Sequence, residues 1–566
     1  MQGSVEEVQV LAVQLSPKAR GLFSVIRPLL IACAACALTL LPMLLYVQHS
    51  PTMAPFSMFA MDTFYYLDVA RNSQGMPFYT FDGMHPTNGF HPVWQYLLYQ
   101  GVKHRLIDLR DPMHAMVQLF YWNLAILCAA ILGLALAATR YLKHQWLALL
   151  TVCPGWMWFL VAVSAPAYLS SWSFLNGMET AVELLFFACF MLSYRSSAYA
   201  LRWLPVAGFF LGMMVLCRLD DVFFLFPVLG FFIWRTPRSS RLMALASSCI
   251  PFAMLAVYLA YNQHTVGRAM PVSGAAKASL AYSDNFEMLY NVFALSSWDD
   301  ALTKETVGIS IYAEAYVRIL QMLFPMLLSV LYLARPRIGA RTLIDWLCVG
   351  ILLKGSYNFI FVTLFAQGYW YYGSSIFISN LILSLVIDYA LVSSLRDVAL
   401  PRLWNYVAVL GELLFVLFSM NAFMTDKLNA NSGQQTQEIV MRGAQLAQMV
   451  HEAGGNSFVE FDDGIVGFGT KMASLSGFGL VSDPEARFAR KHGQLFDLAI
   501  SRGEGLVISQ GGYANQLEGF SKQAAAGGGG DFLGIRSSEF VKYALQPIAK
   551  DRPTDVRLYR LVPRQH

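Results

Sequence analysis

The sequence predicts a polytopic α-helical membrane protein of about eleven spans with a soluble α/β domain at its C-terminal end. Three observations predict it. Hydrophobic residues make up 56% of the 566 positions and charged residues only 13%, with a mean hydropathy of +0.47, a balance foreign to a water-soluble fold. Apolar runs of the ~20 residues that a bilayer-crossing helix needs recur along most of the chain. Near Thr425 the apolar runs stop and polar, strand-like and glycine-rich sequence takes over.

The expected spans are residues 28–48, 113–138, 146–164, 177–194, 203–217, 222–234, 242–262, 309–333, 342–365, 373–393 and 403–423. The first follows Lys18, Arg20 and Arg27 and lacks a convincing small-residue cleavage site, so it reads as a retained anchor. The net charge of +4 says little, but the distribution of cations is orderly. With the N-terminus in the cytoplasm, the inner turns carry Arg140 and Lys143, Arg195 and Arg202, Arg235 to Arg241, Arg335 to Arg341, and Arg396 with Arg402. Every inner turn is then basic, as the positive-inside rule requires. Adding or deleting one span would invert all later turns and destroy the pattern. The eight cysteines all lie in or beside apolar runs, and no disulfide or zinc framework follows from their spacing.

This topology puts Met61–Tyr99, the RLDD turn, the loop from His264 to Thr306, GYWYYG and the C-terminal part on one outer face. The chain divides at residues 1–424 and 425–566, with a first outer loop at about 49–112. In the second part a polar linker, DKLNANSGQQTQ, precedes a helical pattern at Ile439, Val440, Leu446, Met449 and Val450. The runs SFVEF, GLVISQ and VRLYRLV read as strands, and QAAAGGGGDFLG as a flexible loop.

The candidate chemistry sits in the outer loops. In MDTFYYLDVARN, Thr63 to Arg71 suit a short helix with Asp62, Tyr65, Tyr66 and Val69 on one side and Asp68 with Arg71 on another. Asp62 is either a helix cap or a base, and Asp68–Arg71 is a surface ion pair. FDGMHPTNGFHPVW, with two X-Pro steps and two glycines around His85, Asn88 and His91, predicts an irregular, rigid loop. Its histidines either bond to backbone or serve a site. Glu179, at the start of the fourth span, either closes a capping box with Asn176, pairs with a cation or faces a wet cavity. Arg218, Asp220 and Asp221, between two spans, form either a turn with an internal ion pair or part of a site. Arg268, Ser273 and Lys277 in RAMPVSGAAK, with Tyr371 and Tyr372 in GYWYYGS, offer cations and hydroxyls suited to a phosphate. The tyrosines also suit an aromatic belt at the membrane interface. Taken together, carboxylates, cations and aromatics at one membrane face suit a lipid phosphate presented from the bilayer.

The order of MDTFYYLDVARN, TFDGMHPTNGFHPVW, NGMETA, CRLDDVFF, MPVSGAAK and WYYGS resembles integral-membrane glycosyltransferases of the GT-C superfamily, in the broad group that includes bacterial arabinofuranosyltransferases. The resemblance runs from about Met61 to Ser374, and DGIVGFGTKMASLSGFGLVSD is similar to an element of the outer domains in that group. It implies an enzyme of the bacterial inner membrane with a periplasmic C-terminal domain. Its donor would be a polyprenyl-phosphate sugar and its acceptor a cell-envelope glycan or a protein such as a pilin, with no nucleic-acid partner. The resemblance assigns the catalytic acidic role to Asp62. Many relatives carry two adjacent acids there, whereas Met61 and Thr63 flank Asp62 here, which favours a metal-free site and leaves no cofactor to name. His85, Asn88, His91 and Glu179 are expected to bind sugar and acceptor, Lys277, Arg218 or Arg268 the phosphate, and Tyr66, Asp220, Ser273, Tyr371 and Tyr372 the substrate without a finer role. A transporter or lipid flippase is the alternative class, but its site would sit near the bilayer midplane between repeated halves, and no internal repeat is evident.

Overall fold

The computed structural model describes residues 17–152, 174–197, 201–277, 283, 285–286, 289, 322–335, 342–362, 369–394, 432–461, 464–477, 481–532 and 535–564. Among these, five helices are long and apolar enough to cross a membrane: Ile26–His49, Pro112–Thr139, Arg238–Val266, Leu343–Phe361 and Gly373–Ala390. Shorter apolar helices, Thr180–Tyr194, Leu201–Cys217 and Met322–Ala334, pack among them. The chain is a polytopic helical membrane protein with a C-terminal mixed α/β domain. The expected span at 403–423, most of 146–164 and the junction at residues 424–425 lie outside the described residues.

Small residues set the closest helix crossings. In GFFLG, Gly208 faces the Ser247 carbonyl so tightly that any side chain would collide with it, and a methyl at Gly212 would come 2.7 Å from the Met254 sulfur. Such a pair one turn apart lets two helix backbones approach in lipid, where packing rather than hydrophobicity drives association. Helix Leu204–Cys217 is thereby seated on Arg241–Val266.

The first loop is built from helices Ala54–Met58, Asp62–Asn72 and Pro92–Lys103. The irregular segment between the last two is closed by an isolated bridge between Thr80 and Pro86. It ends sooner than the sequence suggests, because Pro92 takes the first helical turn, where its missing N–H costs nothing. The fourth span begins at Thr180, and Asn176 does not form the capping box: its side chain accepts from the Met178 amide, two residues on.

In the C-terminal domain, helix Ser432–Met441 starts inside the expected polar linker, and Gly443–Glu452 follows it. The three expected strands are present as β1 (Ser457–Phe461), β3 (Leu506–Gln510) and β7 (Val556–Pro563). Reading the sequence misses β2 (Ala473–Ser476), the two-residue strands β4 (Asp531–Phe532) and β5 (Ile535–Arg536), and β6 (Tyr543–Asp551). Helix Gly511–Ala525 and strand β4 occupy parts of the segment expected to be a glycine-rich loop. The main sheet has the order β2-β1-β3-β7-β6, with β1 parallel to β2 and β3, and β7 antiparallel to β3 and β6.

Alternation along these strands decides what each face covers. Val459, Leu475, Val507 and Tyr559 bury into a core of the domain's own with Leu495, Phe496 and Phe540. Phe458, Ile508, Val556 and Leu558 join instead the larger core that continues into the first loop and the membrane helices. The domain is thus packed onto helix Asp62–Asn72. Phe64 meets Phe468 at 5.4 Å between ring centroids, Arg71 donates to the Gly467 and Phe468 carbonyls at 3.4 and 3.3 Å, and Gly464, at φ +90°, lies against Tyr65. Asp68 and Arg71 do pair, at 2.8 Å, but Asp68 is 1% exposed. The pair is therefore an interdomain contact and not a surface one.

Candidate active site

Helix Asp62–Asn72 has a second face. On it Asp62 and Tyr66 line a cavity of about 380 Å³ that is also walled by Phe90, His91, Glu179, Arg218, Asp220, Ser273, Tyr357 and Tyr371. Val481 of the C-terminal domain completes one wall. Asp62 is the first residue of the helix, and Met61 holds the capping position, so the cap role does not fall to Asp62.

One part of the wall carries a connected charge network. Glu179 Oε1 accepts from Arg218 Nη1 at 2.8 Å and lies 3.5 Å from His91 Nε2. Its Oε2 accepts from the Tyr66 hydroxyl at 3.3 Å. Burial first, and the Glu179 charge next, push the Tyr66 phenol well above its usual range, which keeps it protonated as a donor. The Arg218 guanidinium also reaches Asp220 Oδ1 through Nε at 3.0 Å and sits 4.0 Å from the centre of the Tyr371 ring. Arg218 and Glu179 are 1% and 0% exposed, so each needs the other: a buried charge that loses its partner is strongly penalised.

The RLDD turn, a 3₁₀ turn at Leu219–Asp221 between two apolar helices, is thus more than an internally paired turn. Behind it stands Lys354, 1% exposed in the apolar helix Leu343–Phe361. Its Nζ lies 2.7 Å from Asp221 Oδ1 and 3.2 Å from Asp220 Oδ2. Ser374 donates to Asp221 at 3.4 Å and, through its amide, to Glu183 at 3.2 Å. Lys354, Glu183 and Ser374 were not among the expected site residues. Lys354 was visible as the lone cation inside ILLKGSYNF, and an ionisable residue within a span is a functional candidate by default.

The other expected residues differ in their relation to the cavity. Asn88 is buried and clamps the segment after helix Arg241–Val266: its amide donates to the Arg268 and Met270 carbonyls at 3.3 and 3.5 Å, and its oxygen accepts from the Val272 amide at 3.0 Å. That clamp aims Met270, Pro271 and Ser273 at the cavity. Arg268 itself is exposed outside the wall. Tyr372 is buried behind Tyr371 and accepts from Asn358 at 3.5 Å. Lys277 ends the short helix Val272–Lys277, and its side chain lies outside the described residues.

His85 belongs to a second cluster, at the joint between the first loop and the C-terminal domain. Its Nδ1 lies 2.6 Å from Asp82 Oδ2. Asp82, His85 and Asp483 offer ligand atoms within 4.8 Å of one another, the grouping among the described residues that could hold a metal ion. Their oxygens are already engaged. Asp82 Oδ1 accepts from the Met84 and His85 amides, both at 2.8 Å, and Asp483 accepts from the Glu485 and Ala486 amides and from Arg502 Nη1 at 2.7 Å. Burial works against the Asp483 charge, yet the Arg502 and backbone hydrogen bonds outweigh it and hold this carboxyl below its usual range. The guanidinium, 3.9 Å from Asp82 Oδ2, supplies the cation that these carboxylates need. Glu504, 1% exposed, is pushed up to about 8 by burial and then by the nearby Asp82 charge.

Fold and cavity together define a multi-pass membrane protein with a charged pocket whose wall includes a residue of an α/β domain. The structure of ArnT from Cupriavidus metallidurans bound to undecaprenyl phosphate is similar at 11% identity, over 96% of this chain and 98% of that one, with a TM-score of 0.45. The structure of the same protein in the apo state is similar at 12% identity, over 91% and 97%, with a TM-score of 0.40. No protein-family model and no curated protein sequence matches the chain.

Proposed function

We propose that the chain is a GT-C glycosyltransferase that moves arabinofuranose from a polyprenyl-phosphate carrier to a cell-envelope glycan or a protein acceptor such as a pilin. The observation that carries this reading is one cavity whose wall presents both a carboxylate, Asp62, and a guanidinium, Arg218, among aromatic and apolar residues. Asp62 takes the proton of the acceptor hydroxyl. The acceptor oxygen bonds to the anomeric carbon while the bond from that carbon to the phosphate oxygen breaks, and the lipid phosphate leaves as an anion. A base has to come within about 2.6–3.2 Å of the proton it removes, and the departing charge calls for fixed positive donors. Arg218 is such a donor, held against Tyr371 and two carboxylates. Lys277 is a second candidate for the phosphate, and His91, Glu179 and Asp220 are assigned to the sugar and acceptor.

The basic inner turns support a cytoplasmic N-terminus, with catalysis in residues 1–424 and residues 425–566 as a periplasmic domain. Deleting the gene and recording mass spectra of envelope glycans and pilin tests the reading. Loss of a pentose is expected; loss of a hexose would reject arabinofuranosyl transfer, and unchanged spectra would reject the function.

A further inference from the structure

The cation that lines the cavity is not self-supporting. Arg218 lies in a turn between two membrane helices, and its guanidinium is set by Glu179 on one side and Asp220 on the other. Asp220 is in turn gripped by Lys354, which stands one layer further from the cavity and divides its ammonium between Asp220 and the fully buried Asp221. Two adjacent carboxylates so placed repel each other and would both compete for Arg218. With Lys354 present, Asp221 is satisfied from behind and Asp220 accepts one cation from each side. Without it, the nearest compensation for the Asp220–Asp221 charge is Arg218, drawn away from Glu179 and from the cavity face.

Simple packing does not ask for this arrangement. Buried ion pairs can be exchanged for apolar residues without loss of stability, and the same helix seats Leu347 and Ile351 in the core by apolar contact. We propose that Lys354 is a positioning residue: acting through Asp220, it fixes the Arg218 guanidinium where a lipid phosphate meets it, and so sets affinity for the donor. This rests on the reading of the cavity as a polyprenyl-phosphate site.

The test uses the purified full-length chain in detergent, with a polyprenyl monophosphate as probe and binding followed by native mass spectrometry. Lys354→Met is expected to weaken binding about tenfold or more and Lys354→Arg to restore it to within about threefold, because a charge-assisted contact to both aspartates survives in the second variant. Combined with Arg218→Gln, Lys354→Met is expected to add almost nothing to the loss caused by Arg218→Gln alone, the non-additivity of two groups acting through one contact. A folded Lys354→Met protein that binds like wild type, or losses that simply add, would overturn the proposal. If Lys354→Met does not fold, Asp220→Asn interrupts the same chain, and wild-type affinity in that variant would equally overturn it. Failure of the wild-type protein to bind the probe would instead strike the functional reading on which the proposal rests.

Discussion

Two buried charge clusters flank the first loop, and they differ in what completes them. The cluster at Asp82, His85, Asp483 and Arg502, with Glu504 buried beside it, is paired within the protein: Asp82 and Asp483 accept from backbone amides, and Asp483 also from Arg502 of the C-terminal domain. The cluster at Glu179, Arg218, Asp220 and Lys354 opens onto a cavity of about 380 Å³ with aromatic walls. Both use the same residue types. A charged group with all its partners in the protein joins two parts of the fold, whereas one that faces an accessible cavity can act on a substrate. Helix Asp62–Asn72 lies between them, presenting Asp62 and Tyr66 to the cavity and Asp68 and Arg71 to the C-terminal domain.

Crossed substitutions break this comparison most strongly. Arg218→Gln leaves Glu179 and Asp220 short of a cation, a loss on the order of 3–5 kcal/mol for a buried pair, and is expected to weaken donor binding about a hundredfold, still within measurable range, in whatever protein remains folded. Arg502→Gln removes the joint's cation; it is expected to lower the melting temperature by several degrees while the folded protein binds a polyprenyl phosphate within about twofold of wild type, since groups without shared partners act independently. Thermal melts beside binding titrations check both, and equal loss of binding in the two variants would erase the distinction.

A smaller effect sharpens it. Glu504 has a folded value of about 8 against an ordinary 4.5. The unfolded chain ionises this carboxyl above about pH 4.5 while the folded protein still holds the proton, so its contribution to stability is full below that pH and is lost as pH rises through 8. Holding the proton against each further pH unit costs the folded state about 1.4 kcal/mol. Glu504→Gln is expected to flatten the fall of the melting temperature between about pH 5 and pH 8; an unchanged slope would remove Glu504 from the joint.

Much of this architecture was legible in the sequence. Apolar runs announced the membrane helices, and the spacing in DTFYYLDVARN separates Asp62 from Asp68. What stayed hidden depends on partners remote in the chain. Asp68 looked exposed because the element that buries it, around Gly467, lies some 400 residues later. Strand β6 carries Pro547 and Lys550 and sits at the edge of the sheet, where such residues discourage pairing with other chains and also weaken the strand signal. Asn88 and His85 were recognisable as residues of a rigid loop, but only the packed structure separates a clamp and a joint from the cavity wall.

Turnover by purified Asp62→Asn protein, given a polyprenyl-phosphate pentose and an acceptor glycan, tests the central claim most directly. Asparagine keeps the shape and removes the base, so sugar transfer is expected to fall by about 10²–10⁴, the usual worth of a positioned general base, with lipid-phosphate binding retained. Transfer at the wild-type rate would contradict the account.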